Sequence, residues 1–331
     1  MERRTNRHRN VFFFDASAPG VAMGGLTQNG AVTQANFLEM LEILIVAKQP
    51  VLLYLRVQER TSGHIVLSTS TILAVGHYDI YCDSPIALNN EPWIPRLTSQ
   101  VSSAPCERFR ELVRSRDGKC VVTGLVNDAA DVDEWAGFEA VHIFPLASQS
   151  LFQSYDPCVT FVPEGVSKIN SPQNGLLLTD TMHTLFDQYL FSINPDDNYK
   201  IISFFKNGFN IDGHVLDPIC RDPANPQRVS VPLLRWHYRQ SALANMRGAG
   251  EPLLKTTSRL EPIWWPKSAK DRMVRKDSRW QSPLSWGEMY DGLSSCVLYN
   301  RNLSRGDLVN LPKDGGPKND SMTVQKSQIL R

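Results

Sequence analysis

The chain alternates apolar runs with polar breaks closely enough to place most of its elements. Thr33–Ala47 is an amphipathic helical pattern with Thr33 as N-cap and Pro50 just beyond it. Strands are expected at Val51–Gln58 and His64–Leu73, joined by a Thr-Ser-Gly turn and followed by Gly76–Ile80. Glu107–Arg116 reads as a basic helix stopped by Asp117-Gly118, after which Lys119–Gly124 hands the chain into a strand and a turn. Phe138–Phe144 is short, apolar and partly β-branched, and Pro145 closes it, which predicts a strand. Asp180–Leu190 carries Met182, Leu185, Phe186 and Tyr189 at helical period behind Thr179 or Asp180 as N-cap. Phe191–Asn194 and Tyr199–Phe204 flank Pro-Asp-Asp-Asn, a hairpin signal. Pro232–Arg247 is a helix with Pro in its first turn and Gly248 at its end.

Set into this pattern are polar residues that packing does not call for: Glu139 and His142 on the strand, Asn174 in an Asn-Gly-Leu-Leu-Leu run, and His183 and Asp187 on the following helix. His183 and Asp187 are four apart and share a helix face, so the pair could bind one cation, or Asp187 could hold the imidazole in a ligating tautomer. Phosphodiester hydrolysis asks for an activated water and for charge stabilisation at the phosphate and the leaving oxygen. A neutral imidazole supplies the first and a hard divalent ion the second, so the set suggests metal-assisted hydrolysis.

The motifs Cys120-x-x-Thr-Gly124, Glu139-Ala-x-His142-Ile-x-Pro145, Asn174-Gly-Leu-Leu-Leu178 and His183-x-x-Phe-Asp187 resemble the HNH endonuclease family, in a branch common among uncharacterised fungal proteins. The resemblance covers about residues 106–207 by motif, with Trp236–Pro252 similar to the segment that follows in those proteins. It implies an α+β fold: a ββα-metal (HNH) finger embedded in a larger chain, with an N-terminal α+β module and a C-terminal helical extension. By the same resemblance His142 is the general base, Asn174 positions the loop or the base, and His183 binds the metal. Two departures bear on this. Many relatives carry an Asp or His ligand directly before the base, where this chain has Val141. Glu139, two residues back on the same strand face, is the expected substitute, with Asp187 as the other candidate ligand. The six cysteines include no C-x-x-C, so no structural zinc is expected and Cys120 reads as a small buried hydrophobe. The implied cofactor is a divalent ion, Mg²⁺ or Mn²⁺.

Plainer readings stand beside these. A single strand His is usually a core residue, Asn174-Gly175 alone is an ordinary turn, and Asp187 could simply solvate its helix face. Trp236, His237 and Arg239 either touch a substrate or pack against the finger, and His64 and His77 read as surface or packing residues.

At 331 residues and 42% hydrophobic content the chain can bury a sizeable core. The expected division is a disordered basic N-terminus at 1–10, an α+β module of unreadable role at 11–95, the HNH-like domain at 96–250, and an extension with a disordered tail at 251–331. A net charge of +1 gives nucleic-acid binding no independent support, although Arg108, Arg110, Arg114, Arg116 and Lys119 form either a local basic patch or a solvated helix face. No run approaches a membrane span, and Val11–Phe14 is too short for a signal-peptide core, which places the protein inside the cell, cytoplasmic or nuclear and not secreted. Two function classes follow. One is a metal-dependent endonuclease acting on nucleic acid, DNA ahead of RNA. The other is an HNH-derived scaffold repurposed as a non-nucleolytic enzyme with a small-molecule substrate, or as a binding module.

Overall fold

The computed structural model describes residues 9–47, 55–96, 107–206 and 209–248. In chain order the elements are β1 (Val11–Asp15), β2 (Ala22–Leu26), α1 (Gln34–Leu44), β3 (Ile45–Ala47), β4 (Arg56–Glu59), β5 (Gly76–Tyr81), β6 (Ile86–Leu88), α2 (Glu107–Asp117), β7 (Phe138–His142), α3 (Gln149–Phe152), β8 (Gly175–Thr179), α4 (Asp180–Asp187), β9 (Phe191–Asn194), β10 (Lys200–Ser203) and α5 (Val231–Met246). The architecture is α+β: a four-stranded sheet ordered β2-β1-β5-β4 and three two-stranded ribbons, β3-β6, β7-β8 and β9-β10. Among the described residues no helix is long and apolar enough to cross a membrane. The chain divides into two units, Met1–Ser258 and Arg259–Arg331, and the extension and tail expected beyond residue 251 lie outside the described residues.

In the N-terminal part, α1 begins with a reciprocal capping box between Thr33 and Asn36, as the Thr33 cap predicts. The strand expected at His64–Leu73 does not form. Its start makes only an isolated bridge to β4, at Ile65, and two carbonyls of its second half go to the start of α1, where Thr71 accepts from the Gln34 amide at 2.8 Å and Thr69 from the Ala35 amide at 3.0 Å. Those two donors have no partner within the helix, so capping it takes precedence over a ladder. The strand expected at Val51–Gln58 is described only from residue 55 on, where β4 covers Arg56–Glu59.

A second difference decides the shape of the central region. Lys119–Gly124 is a turn rather than a strand, closed by Cys120 N–H to Leu125 O at 2.9 Å and Gly124 N–H to Cys120 O at 2.8 Å. The partner of β7 is β8, antiparallel, with His142 opposite Gly175 and Phe138 opposite Thr179. Gly-Leu-Leu-Leu is a continuous apolar run, which has no period of its own and shows as a strand only once both faces are seen to be covered. One face of the ribbon, with Val141, Leu176 and Leu178, joins Met182, Leu185 and Phe186 of α4 in the main core. The other, with Ala140 and Leu177, packs on Phe109 and Val113 of α2. The backbone then passes directly from β8 into α4, whose N-cap is Thr179.

Helix α5 belongs to two cores. Leu233, Leu234 and Trp236 lie in the cluster that contains the β7-β8 ribbon. Tyr238, Ala242, Leu243 and Met246 lie in the cluster of the N-terminal sheet and α1. Its last turn is capped from the far end of the chain. Arg9, counted in the sequence as part of a disordered basic end, donates to Gly248 O at 2.8 Å and Asn245 O at 2.5 Å.

The close approach of α2 to the ribbon depends on Gly175. A Cβ there would meet Val113 Cγ2 at 2.5 Å and the Phe109 ring at 2.8 Å, with no slack in a packed core. Gly175→Ala is expected to cost about 1–3 kcal/mol by overpacking, read as a lower urea midpoint at unchanged slope; a midpoint equal to wild type would show that α2 can move away freely.

Candidate functional site

The site forms where β7 ends. Asn174, completely buried, stops the strand at His142 by taking over the next two residues. Its carbonyl accepts from Ile143 N–H at 2.8 Å and its Oδ1 from Phe144 N–H at 2.8 Å, while Nδ2 donates to Phe144 O at 3.1 Å and Ile169 O at 2.8 Å. Every polar atom of the amide is thus engaged with backbone, so Asn174 pins the loop to the strand end rather than offering a free group to a substrate. The ordinary turn expected at Asn174-Gly175 is a single 3-10 turn running straight into β8.

His142 is buried on the α2 face of the ribbon. Its ring stacks on Phe109 at 4.0 Å between centroids and 7° between planes. Nε2 lies 3.0 Å from Asn170 Oδ1, an atom that can only accept, so Nε2 carries the proton and Nδ1 keeps the lone pair. Asn170 is held in turn by Ser167 Oγ at 2.9 Å. Burial, with a smaller push from the Arg96 guanidinium, lowers the His142 imidazole to about 4 against the opposing Asn170 bond, so the ring is neutral at physiological pH.

Glu139 sits one step from Ala140 and therefore points to the α4 face, like Val141. There it accepts from His183 Nδ1 in a short contact, and His183 Nε2 lies 3.1 Å from Asp187 Oδ2. The imidazole is held between two carboxylates. Burial lowers its pKa, but the Asp187 and Glu139 carboxylates outweigh burial and hold it above the ordinary imidazole value. Asp187, itself buried, faces a second cation: Arg96 Nε lies 2.8 Å from Oδ1. Burial opposes its ionisation, yet Arg96 and His183 keep it below the usual carboxylate range. The Glu139, His183 and Asp187 side chains therefore form one relay, and Asp187 is part of it rather than a solvated helix-face residue.

His142 does not join that relay through its ring. It leaves the strand on the opposite face, and the link between them is Arg96, which donates to the carbonyls of His142 and Ile143, the latter at 2.6 Å. Arg96, Asn170 and Phe109 escape a reading of the sequence. Arg96 and Asn170 act across the chain from segments without periodic pattern, and Phe109, although on the helix expected at Glu107–Arg116, acts through a stack on a distant residue; only Asn170, in Asn-Ser-Pro-Gln-Asn, stands in a polar context next to a landmark.

A divalent ion does not fit these groups as they stand. The donors, two carboxylates and an imidazole, have the right chemistry for a hard cation. Both nitrogens of His183 already face carboxylates, however, and the second Asp187 oxygen faces the Arg96 cation, although it accepts no hydrogen bond. Among the described residues no three His, Cys, Asp or Glu side chains converge to hold an ion. Cys120 is buried, and Cys106 and Cys296 lie outside the described residues.

The cations of the 108–119 segment are largely spent. Arg108 pairs with Glu111 at 3.0 Å, Arg110 with Glu107, and Lys119 with Asp217 at 2.7 Å, while Arg114 lies over the Trp135 ring at 4.8 Å. Arg116 is not at the surface at all: it is buried against Asp117. Trp236 and His237 are buried too, the latter stacked on Phe186 at 3.6 Å and bonded to Ser192 Oγ at 2.8 Å, and Arg239 pairs with Glu91. Packing accounts for all three.

No curated protein and no solved structure matches the chain significantly. Residues 8–87 match a family described as a domain of unknown function, DUF8573, which spans the N-terminal sheet and α1. Residues 120–194 match the family described as HNH endonuclease, and they run from the turn at Cys120 through β7, β8 and α4 to the end of β9. That stretch holds His142, Asn174, His183, Glu139 and Asp187, and it makes this part of the chain a member of the HNH endonuclease family.

Proposed function

We propose that this chain is an endonuclease that hydrolyses phosphodiester bonds in nucleic acid, DNA ahead of RNA, with His142 as the general base. The observation that carries the reading is the state of His142: a neutral ring with its Nε2–H fixed on Asn170 and its Nδ1 lone pair left to accept a proton from an attacking water. Proton transfer to a positioned imidazole is worth roughly 10²–10⁴-fold. When Nδ1 takes the proton, the ring becomes a cation in a buried place, and the Asp187 charge offsets part of that cost. Antiparallel β7 and β8 followed directly by α4 support reading the region as a ββα finger. HNH nucleases generally use a divalent ion, for which Mg²⁺ or Mn²⁺ is the proposed choice. Glu139, His183 and Asp187 are turned on one another, so no step is assigned to an ion here.

A second reading, a scaffold with a non-nucleolytic task, is favoured by two observations. The cations near α2 are paired, and a separate open cleft of about 640 Å³ lies at the end of the N-terminal sheet, between Asp15, Arg56, Tyr81 and Cys82. One assay separates the two. Supercoiled DNA and structured RNA are incubated with the full chain in Mg²⁺, Mn²⁺ or chelator, with His142→Ala alongside. Nicking by wild type that the variant lacks supports the endonuclease. No cleavage of either polymer with either metal removes it and leaves the second reading.

The pH dependence follows from the same burial. The acid limb of kcat/KM is expected near pH 4, where the His142 ring takes its proton. A limb near the ordinary imidazole value of about 6.5 would mean that another group is the base. Stability moves likewise. His142 and the buried His237 are both harder to protonate in the folded chain, so the unfolded chain binds more protons once the pH drops below the ordinary imidazole value. Their contribution is complete above that value and is lost as the pH falls below about 6.5, for His142 through to about 4. His183, with its raised value, has the opposite sign: its contribution is present below the ordinary value and is lost as the pH rises through its folded one. Urea midpoints should therefore peak near the ordinary imidazole value and fall on both sides; a midpoint that rises as the pH drops below about 6 would contradict the lowered His142 and His237, and one that keeps rising above the ordinary value would contradict the raised His183.

A further inference from the structure

We infer that Arg96 is a positioning residue of this site, a clamp that locks the strand end carrying the His142 base to the helix carrying His183. Its guanidinium is 4% exposed at the side chain and has partners in two directions. Towards β7 it donates to the His142 and Ile143 carbonyls, just where the strand leaves its ladder. Towards α4 its Nε faces Asp187 Oδ1 at 2.8 Å, an ion pair without hydrogen-bond alignment, and Asp187 in turn pairs with His183. Its Cζ also lies 5.2 Å from the centre of the Phe186 ring, on the same helix. A planar fork with five N–H groups can meet carbonyls and a carboxylate at once, whereas an ammonium on a flexible stem cannot hold that geometry.

Arg96 is delivered by a strap that is itself anchored. Asn89 Nδ2 donates to Ile43 O at 3.0 Å, Ile94 N–H to Gln240 Oε1 at 2.7 Å, and Tyr189 Oη to Ile94 O at 2.9 Å. Trp93 packs edge-on against Tyr189 at 6.0 Å. Residues 89–94 thus hold α1, α5 and the end of α4 before the chain reaches Arg96. The guanidinium cannot be withdrawn without leaving the buried Asp187 with His183 as its remaining counter-charge, and a buried carboxylate that loses a partner is strongly destabilising. It follows that Asp187 serves as the anchor of the clamp and not as a free ligand. The Arg96 side chain touches no reacting atom; it acts by keeping the His142 ring and the Glu139–His183 pair in fixed relation.

The activity readout rests on the endonuclease reading, so a second readout is independent of it. Arg96→Lys, Asp187→Asn and the double variant are made in the full chain. Plasmid nicking gives kcat and KM, and NMR follows the histidine ring signals. Arg96→Lys keeps the charge and loses the fork. It should lower kcat by roughly tenfold to a hundredfold, the scale of a small misplacement of a catalytic group, with KM within about twofold because no substrate contact is lost. Asp187→Asn should do the same, and the double variant should be no worse than the poorer single one, since both cut one linkage. In both single variants the His142 and His183 ring signals should shift while those of His64 and His77 stay in place. Wild-type kcat in Arg96→Lys, or losses that multiply in the double variant, would overturn the clamp. Should the wild-type chain cut nothing, the endonuclease reading falls on its own, and the clamp is judged by NMR: an unmoved His142 signal in Arg96→Lys overturns it. Should Arg96→Lys not fold, Asp187→Asn tests the linkage from its other end by the same His142 signal.

Discussion

The central region is organised around one buried guanidinium, that of Arg116 at the end of α2. It pairs with both oxygens of its neighbour Asp117, at 2.6 and 2.8 Å, and donates to Pro172 O at 2.7 Å, Gly175 O at 2.8 Å and Gln227 O at 2.9 Å. Asp117 then accepts from Leu177 N–H at 2.9 Å. A buried ion pair earns its place only when the remaining hydrogen-bonding capacity is met, and here a single knot meets it while tying α2 to β8, to the turn before it and to the segment that leads into α5. The position of Phe109 under the His142 ring follows, because Phe109 rides on the helix that this knot fixes.

Arg96 repeats the device at the site, on the other face of the ribbon. In both places a guanidinium gathers backbone carbonyls from segments without regular secondary structure or from strand ends and faces a carboxylate at the end of a helix, Asp117 in α2 and Asp187 in α4. Irregular backbone buried inside a protein has to find partners for its polar groups. Here two arginines, Asn174 and Gln173 supply much of what is needed, Gln173 by taking the Thr160 and Phe161 amides at 2.7 and 3.1 Å. The long loop between β7 and β8 is held by such side chains, and the site lies on the part so held.

What the sequence discloses and what it conceals divide along the range of the interactions. α4 with its Thr179 cap, the β9-β10 hairpin and α5 with Pro232 in its first turn are written in neighbours three or four residues apart, and the structure has them. β8 is concealed because an all-apolar run carries no period. Asn174 looks like half of a turn dipeptide because its four bonds go to residues far along the chain or to main chain. The site residues themselves stand out as polar positions in apolar elements, and Glu139, His183 and Asp187 do meet. Their mutual bonding, and the separation of the His142 ring onto the other face, depend on strand direction and on Arg96, a residue with no local signature.

The sharing of α5 has a consequence for modularity. The stretch that carries the family signature ends at residue 194, yet Phe144, two residues beyond His142, packs against Trp236 of α5 at 4.4 Å between ring centres. The opposite side of that helix is buried in the N-terminal sheet. An excised 120–194 fragment would expose the apolar side that α5 covers, and a fragment extended to include α5 would expose the side that the N-terminal sheet covers. In this chain the nuclease-type motif is not a portable cassette. Its hydrophobic closure is lent by a helix that also serves the sheet of a second family, so a lesion in either half should be felt in the other.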